Sequence, residues 1–189
     1  ELIHAEQFPI FRPEFGQFSP DKRRRLLVQA LTAAAVARPL YGNYEKLEFL
    51  GDVVLKYGAV ATIVAQNKDA SIGQLVVKKS DVVSNETLFQ MSTLMQLPEM
   101  LQTENSPWTR GCFPGTSNET VHERPISNKT IADCVESLTG ACFALMLDDD
   151  GPTLLQQCTS PEQRRTLWLQ HHLAWANALH FLEECGHPL

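Results

Sequence analysis

The sequence predicts an all-α fold, and three observations support this prediction. Apolar residues recur every three to four positions over several long segments. Ser-initiated caps, prolines and glycines mark where these segments begin and end. Runs of Val and Ile are short, and no apolar alternation persists between turn residues, so no sheet is predicted. With 189 residues and 43% hydrophobic residues, the chain can bury one full core.

The chain is expected to comprise a lead-in segment and one domain. Residues 1–18 are rich in Phe and Pro without a clear period, so we expect them to dock on the core or to belong to a neighbouring region. Residues 19–189 form the predicted domain. Within it, residues 103–127 are dense in Asn, Ser, Thr, Gly and Pro, which predicts a long loop insertion.

Six helices are expected in this domain. Ser19 caps the first, which ends before Pro39. Capping-box patterns begin at Ser71 and Ser160, and Ser127 or its neighbour Asn128 caps the most strongly apolar helix. The predicted spans are 21–37, about 43–66, 72–82, 85 to just before Pro98, 129–147 and 161–185.

The composition limits the classes of function. A net charge of −6 argues against a module that binds nucleic acid by bulk charge alone, but it allows a nuclease whose acidic site is neutralised by metal. No signal peptide is visible and no apolar run approaches the roughly 18 residues of a membrane span, so we expect an intracellular protein, cytoplasmic or nuclear, with no membrane partner. Because the chain begins with Glu, we expect an excised domain or a processed product.

The five cysteines lack the Cys-x-x-Cys spacing of zinc or redox sites. We expect buried free thiols in a reducing compartment. These cysteines are Cys112, Cys134, Cys142, Cys158 and Cys185.

The second predicted helix carries three carboxylates, those of Glu45, Glu48 and Asp52, within an apolar segment. Glu48 and Asp52 are four residues apart and therefore lie on one helical face. Burying unpaired carboxylates is costly, and two on one face also repel each other. The segment therefore indicates that a cation lies nearby.

The helix after the long loop repeats this pattern. Asp133 and Glu136 are three residues apart among apolar neighbours. If the two helices pack face to face, the four carboxylates converge, and Gly51 and Gly140 would permit a close approach. Oxygen-only ligands suit Mg²⁺, with Mn²⁺ as an alternative, and such a site favours hydrolysis of a phosphate ester.

These two segments resemble the ribonuclease III family. Residues 45–52, Glu-Lys-Leu-Glu-Phe-Leu-Gly-Asp, are similar to the family signature, with Lys46 in place of Arg. Residues 129–138 resemble the second acidic motif, most closely in its Dicer form, and residues 83–88 match a segment between the two. Residues 55–57 after the signature, Leu-Lys-Tyr, and residues 73–75, Gly-Gln-Leu, look most like the first of the two ribonuclease III domains of Dicer.

This resemblance implies an activity and roles for individual residues. The positions of Glu48, Asp52, Asp133 and Glu136 form the metal site of the family, with the two glutamates as principal ligands and the two aspartates completing the shell. The implied reaction is metal-dependent endonucleolytic hydrolysis of double-stranded RNA within a Dicer-type small-RNA-producing enzyme, leaving 5′-phosphate and 3′-hydroxyl ends. Lys129 would stabilise charge at the scissile phosphate, although a solvated lysine is an equal alternative.

The resemblance also implies partners. Family domains work in pairs, so Glu45 and Phe49 are expected at a surface that pairs with a second ribonuclease III domain, either within one longer protein or in a homodimer. Plain core packing is an equal alternative for Phe49. Lys78, Lys79 and Asn85 are candidates for binding the RNA backbone.

Two other functions remain open from the sequence. One is a non-catalytic ribonuclease III-like pairing module, against which the retention of all four acidic positions speaks. The other is an all-α, Mg²⁺-dependent nucleotide pyrophosphatase. That class uses Glu-x-x-Glu and Glu-x-x-Asp spacings, whereas this chain has Glu-x-x-x-Asp and Asp-x-x-Glu.

Overall fold

The computed structural model describes residues 19–36, 42–103, 126–147 and 160–188. These residues are helical apart from turns, short connecting segments and isolated bridge residues, such as the bridge between Thr32 and Gln102, which confirms the all-α prediction. The predicted lead-in segment and nearly all of the predicted loop lie outside them. The helices are α1 (Pro20–Ala30), α2 (Glu45–Gln66), α3 (Ile72–Val82), α4 (Asn85–Leu94), α5 (Leu97–Met100), α6 (Asn128–Met146) and α7 (Pro161–Glu184), with a 3-10 turn at Ala34–Val36.

Helix α6 is the centre of the fold. All of residues 131–143 are buried, and α1, α2, α4 and α7 pack around them. Leu55 of α2, Leu88 of α4 and Phe181 of α7 are fully buried in the same core. A mostly apolar sequence therefore places α6 inside the domain, so its polar groups lie where they must either be paired or carry a charge at a cost in free energy.

The predicted caps form at the starts of α3, α6 and α7, whereas the side chain of Ser19, the predicted cap of α1, makes no capping hydrogen bond. Complete capping boxes join Ser71 to Gln74 and Ser160 to Gln163. Of the two candidate caps of α6, the hydroxyl of Ser127 is the one that accepts a hydrogen bond from a backbone N–H in the first turn.

The first helix ends seven residues earlier than predicted, at Ala30 rather than Ala37. Tertiary contacts end it: the carbonyl of Ala30 accepts a hydrogen bond from Ser137 Oγ at 2.6 Å. The backbone N–H of Ala33 then donates to the carbonyl of Gln102 at 2.9 Å. Partners supplied by distant segments therefore override local helix propensity.

The fourth helix also ends earlier than predicted. Helix α4 ends at Leu94, and Gln96 takes a left-handed conformation with φ of 56°. Pro98 then lies in the first turn of α5 rather than beyond the end of a helix. A proline is tolerated there because the first N–H groups of a helix have no intrahelical partner.

Helix α3 lies at the surface and is attached by contacts in its C-terminal half. It buries none of its residues. Lys78 Nζ donates to Asn67 Oδ1 at the end of α2. The carbonyl of Val82 lies 3.1 Å from Nε2 of His187, a buried residue that follows α7.

Two further findings concern cysteines and membranes. Cys134 and Cys142 are buried free thiols and Cys185 is a partly buried one, as predicted for these three. The other two cysteines lie outside the described ranges. Among the helices described here, none has the length and hydropathy needed to span a membrane.

Candidate active site

Two glycines bring the backbones of α2 and α6 into contact. A Cβ atom on Gly51 would lie 1.7 Å from the carbonyl oxygen of Glu136, and one on Gly140 would lie 2.0 Å from the carbonyl oxygen of Leu47. No side chain fits at either position, so the expected close approach is confirmed. The crossing brings the acidic residues of the two helices onto one cleft.

Three carboxylates converge at this crossing. Glu48, Asp133 and Glu136 each offer one carboxylate oxygen, and these oxygens lie within 4.8 Å of one another. Asp133 and Glu136 are buried, with 7% and 9% of their surface exposed. Asp52, the fourth predicted acidic residue, lines the same cleft but lies outside this group of three.

A lysine holds each aspartate. Lys129 Nζ donates to both carboxylate oxygens of Asp133, at 2.8 and 2.6 Å. Lys56 Nζ donates to Asp52 Oδ2 at 2.7 Å. Helical spacing of four residues sets both pairs.

Burial and the repulsion between carboxylates act on the pKa values of the two glutamates of the cluster. Burial, followed by the negative charges of Asp52, Asp133 and Glu48, raises the pKa of Glu136 to about 7. Burial and the charge of Asp133 also raise the pKa of Glu48, although Lys129 opposes this shift. Burial, followed by the charges of Asp133 and Glu48, raises the pKa of the nearby Tyr44 to about 12. A divalent cation would relieve this repulsion, so the residues present fit a metal ion that prefers oxygen ligands.

The cleft has a volume of about 530 Å³ and is open to solvent on one side. Its polar lining suits a charged ligand more than an apolar one. It is lined by Glu45, Glu48, Phe49, Asp52, Lys56, Val83, Asn85, Lys129, Asp133 and Glu136.

The other predicted site residues divide into two groups. Glu45, Phe49 and Asn85 line the cleft, and Phe49 is 76% exposed, which excludes core packing as its role. Lys78 and Lys79 lie on α3 outside the lining of the cleft. Their proposed contact with RNA stays a prediction.

The sequence analysis did not predict Lys56 as a site residue. It lines the cleft, and its side chain is about half exposed. The signal was available, because Lys56 follows Asp52 by one helical turn, at a spacing that favours an ion pair.

Comparison with solved structures identifies the fold as that of a ribonuclease III nuclease domain. Two structures of the nuclease domain of ribonuclease III from Campylobacter jejuni match with a TM-score of 0.60 and 17% sequence identity. In both cases the match covers at least 97% of this chain and 97% of the other. One of the two shows structural flexibility in a region of that nuclease domain involved in dimer formation.

The family follows from the sequence match. A family model described as the ribonuclease III domain matches residues 45–145, just over half of the chain. The chain therefore belongs to the ribonuclease III domain family, as its two acidic motifs predict. Ribonuclease III domains are metal-dependent, and the acidic cluster is a group of residues that could bind the metal.

Curated relatives include Dicer and ribonuclease proteins. Dicer-like protein 2 of Pyricularia oryzae is 34% identical over 119 residues, which is 62% of this chain and 8% of the relative. Protein Dicer of Schizosaccharomyces pombe is 29% identical over 165 residues, covering 84% of this chain and 12% of the relative. Ribonuclease 3 of Francisella tularensis subsp. novicida is 30% identical over 129 residues, covering 68% and 47%. The chain thus aligns with about a tenth of these Dicer proteins and about half of the ribonuclease.

Proposed function

We propose that this chain is the catalytic nuclease domain of a double-stranded-RNA endonuclease of the Dicer type. The observation that carries the proposal is the convergence of three carboxylates from two crossed helices within 4.8 Å, in an open cleft that also contains Lys129. The domain would span residues 19–189, with the 103–127 segment as an insertion. Membership of the ribonuclease III family and similarity to Dicer relatives support the assignment of duplex RNA as the substrate.

The acidic cluster would hold the metal ion, with Mg²⁺ as the proposed ion and Mn²⁺ as a substitute. Glu48 and Glu136 would be the principal ligands, and Asp133 and Asp52 would complete the shell. When bound, such an ion supplies a polarised phosphoryl oxygen and an activated water. Small, hard cations of this kind keep several waters and bind phosphate oxygens.

The remaining residues would position the RNA and the reacting groups. Lys129 lies beside Asp133 and could stabilise negative charge that develops at the scissile phosphate. Asp133, held by Lys129, would orient the attacking water. Cleavage of the bond to the 3′ oxygen would leave 5′-phosphate and 3′-hydroxyl ends.

An exposed apolar face on α2 supports pairing with a second ribonuclease III domain. Phe49, Val53, Tyr57, Val60 and Val64 follow a helical spacing and are 43–76% exposed. Leu173 on the adjacent helix α7 is also exposed, and Tyr57 packs on Trp175 of α7 with ring centroids 4.6 Å apart. A contiguous apolar face of this kind is typical of an interaction surface. Because Phe49 lines the cleft, the partner would reach the rim of the active site.

A cleavage assay on duplex RNA tests the proposal. The protein that contains this chain, paired as proposed, is incubated with Mg²⁺ and labelled duplex RNA, and the ends of the products are analysed. We expect cleavage by the wild type and a loss of at least about 100-fold in Glu136→Ala and in the isosteric Glu136→Gln, because a ligand is removed in both.

Glu99→Gln is the matched control, since Glu99 is exposed on α5 and does not line the cleft. Its rate should equal that of the wild type. Undiminished cleavage by Glu136→Gln, or no cleavage by the paired wild-type protein, would contradict the proposal. In the second case, hydrolysis of nucleoside triphosphates would favour the pyrophosphatase alternative, and its absence would favour the non-catalytic pairing module.

A further inference from the structure

Lys56 has a role that the acidic motifs do not assign. It lies one turn after Asp52 on α2, and its ammonium group binds that carboxylate at 2.7 Å while lining the cleft. Of the four predicted acidic ligands, Asp52 is the one that lies outside the group of three converging carboxylates. The ion pair thus occupies the carboxylate that would complete the metal shell.

The net charge of the cleft is unfavourable for binding RNA. Five carboxylates and two ammonium groups line it, a net charge of −3 when all are ionised. One divalent ion would reduce this to about −1, which still repels a phosphate. Freeing one ammonium group from its carboxylate would place an unpaired positive charge beside the metal.

We propose that Lys56 is a counter-ion that Asp52 exchanges for the metal, and that the ammonium group freed in this way binds an RNA phosphate in the cleft. Asp52 already lines the cleft that contains the three converging carboxylates. Lys56 has the freedom to follow, since its side chain is 49% exposed and its stem is flexible. This inference rests on the proposed function for its RNA step but not for its metal step.

Metal binding by the purified chain tests the exchange. Free Mn²⁺ is titrated by electron paramagnetic resonance in the wild type, Lys56→Met, Asp52→Asn and the double variant. If Lys56 competes with the metal for Asp52, Lys56→Met should bind Mn²⁺ roughly 3- to 10-fold more tightly than the wild type. The double variant should bind Mn²⁺ less than about 2-fold more tightly than Asp52→Asn alone. Lys68→Met removes the same charge from an exposed position outside the cleft and should leave the affinity unchanged.

Two results of this titration would overturn the exchange. Weaker Mn²⁺ binding by Lys56→Met would mean that Lys56 orients Asp52 toward the metal instead of competing with it. An equal gain in both backgrounds would mean a general charge effect that does not act through Asp52. Neither result depends on RNA cleavage, so the exchange and the proposed function can fail separately.

Salt dependence of RNA binding tests the phosphate contact. Binding of a labelled duplex with Mg²⁺ is measured by fluorescence anisotropy before any product is detected. Lys56→Met should reduce the slope of log K against log salt by about 1, while Lys56→Arg should retain it. An unchanged slope in Lys56→Met would overturn the phosphate contact. Absence of RNA binding by the wild type would overturn it together with the proposed function, leaving the exchange to the manganese titration.

Discussion

Helices α6 and α3 represent opposite ways of placing the candidate functional side chains. Helix α6 is buried from residue 131 to residue 143, whereas α3 buries none of its residues. The carboxylates of α6 are therefore held by the packing of the core, whereas α3 is held at the surface by contacts in its C-terminal half, from Lys78 to Asn67 and from Val82 to His187. The acidic residues of α6 are thus fixed by buried contacts, whereas the position of α3 depends on a few contacts at the surface.

The buried titratable groups at the two helices should also differ in how their contribution to stability depends on pH. Burial raises the pKa of the Glu136 carboxyl in α6. Burial lowers the pKa of the His187 imidazole, which contacts the end of α3, to about 4. Both shifts favour the neutral form of the group. They nevertheless affect stability in opposite directions as the pH rises, because one group is an acid and the other a base.

The largest expected difference in stability is between replacing a glycine at the crossing of α2 and α6 and replacing a glycine in α3. Gly51→Ala would place a Cβ atom against a backbone carbonyl that cannot move without shifting α6, so we expect a loss of about 2–4 kcal/mol in the free energy of unfolding. Gly73→Ala in α3 meets nothing within 4 Å and should be neutral or stabilising by up to about 1 kcal/mol. Urea denaturation measures both. Equal stability of the two variants would contradict the close approach of the helices.

Removing the charge of Glu136 should reveal the cost of the acidic cluster. The pKa of this carboxyl is about 7 in the folded state against 4.5 for an unperturbed group, so the native state binds the proton more tightly. The resulting stabilisation is complete below about pH 4.5 and is lost as the pH rises to about 7. In EDTA, the wild type should therefore lose about 1–3 kcal/mol relative to Glu136→Gln over this range.

Thermal or urea unfolding of both proteins at several pH values measures this difference. Saturating Mg²⁺ should reduce it, because a bound cation compensates the carboxylate charge that Glu136→Gln lacks. A difference between the two proteins that does not change between pH 4.5 and 7 would contradict the assignment of a raised pKa to Glu136.

His187→Ala should release the C-terminal end of α3. The substitution leaves the carbonyl of Val82 without the imidazole partner 3.1 Å away, at an expected cost of about 1–2 kcal/mol. Because the pKa of His187 is lowered to about 4, the stabilisation is complete above about pH 6.5 and is lost as the pH falls toward 4. The free energies of unfolding of the wild type and the variant should thus differ at pH 7.5 and converge near pH 4. A constant difference would contradict this role.

The same contrast explains what could be predicted from the sequence. The carboxylate spacing and the small residues Gly51 and Gly140 are local patterns with helical period, so they predict both the cluster and the crossing. Capping boxes likewise predict the starts of α3 and α7. The end of α1 depends on Ser137, which is 107 residues away, and the attachment of α3 depends on His187, which is 105 residues from Val82. Such distant partners leave no periodic signal in one sequence.

The smallest expected effect concerns the same chemical change at the start of each helix. Ser127→Ala removes the cap of α6, because the Oγ of Ser127 accepts a hydrogen bond from the Thr130 N–H at 3.0 Å. Ser71→Ala removes half of the capping box of α3. An N-cap contributes about 1 kcal/mol in either place. Since α6 unfolds only with the core, its loss should lower the global free energy of unfolding by about that amount. Since α3 buries nothing, Ser71→Ala should change global stability by less than about 0.5 kcal/mol and instead speed amide hydrogen exchange within α3. Equal global losses in the two variants would mean that α3 unfolds together with the core, in spite of its exposure.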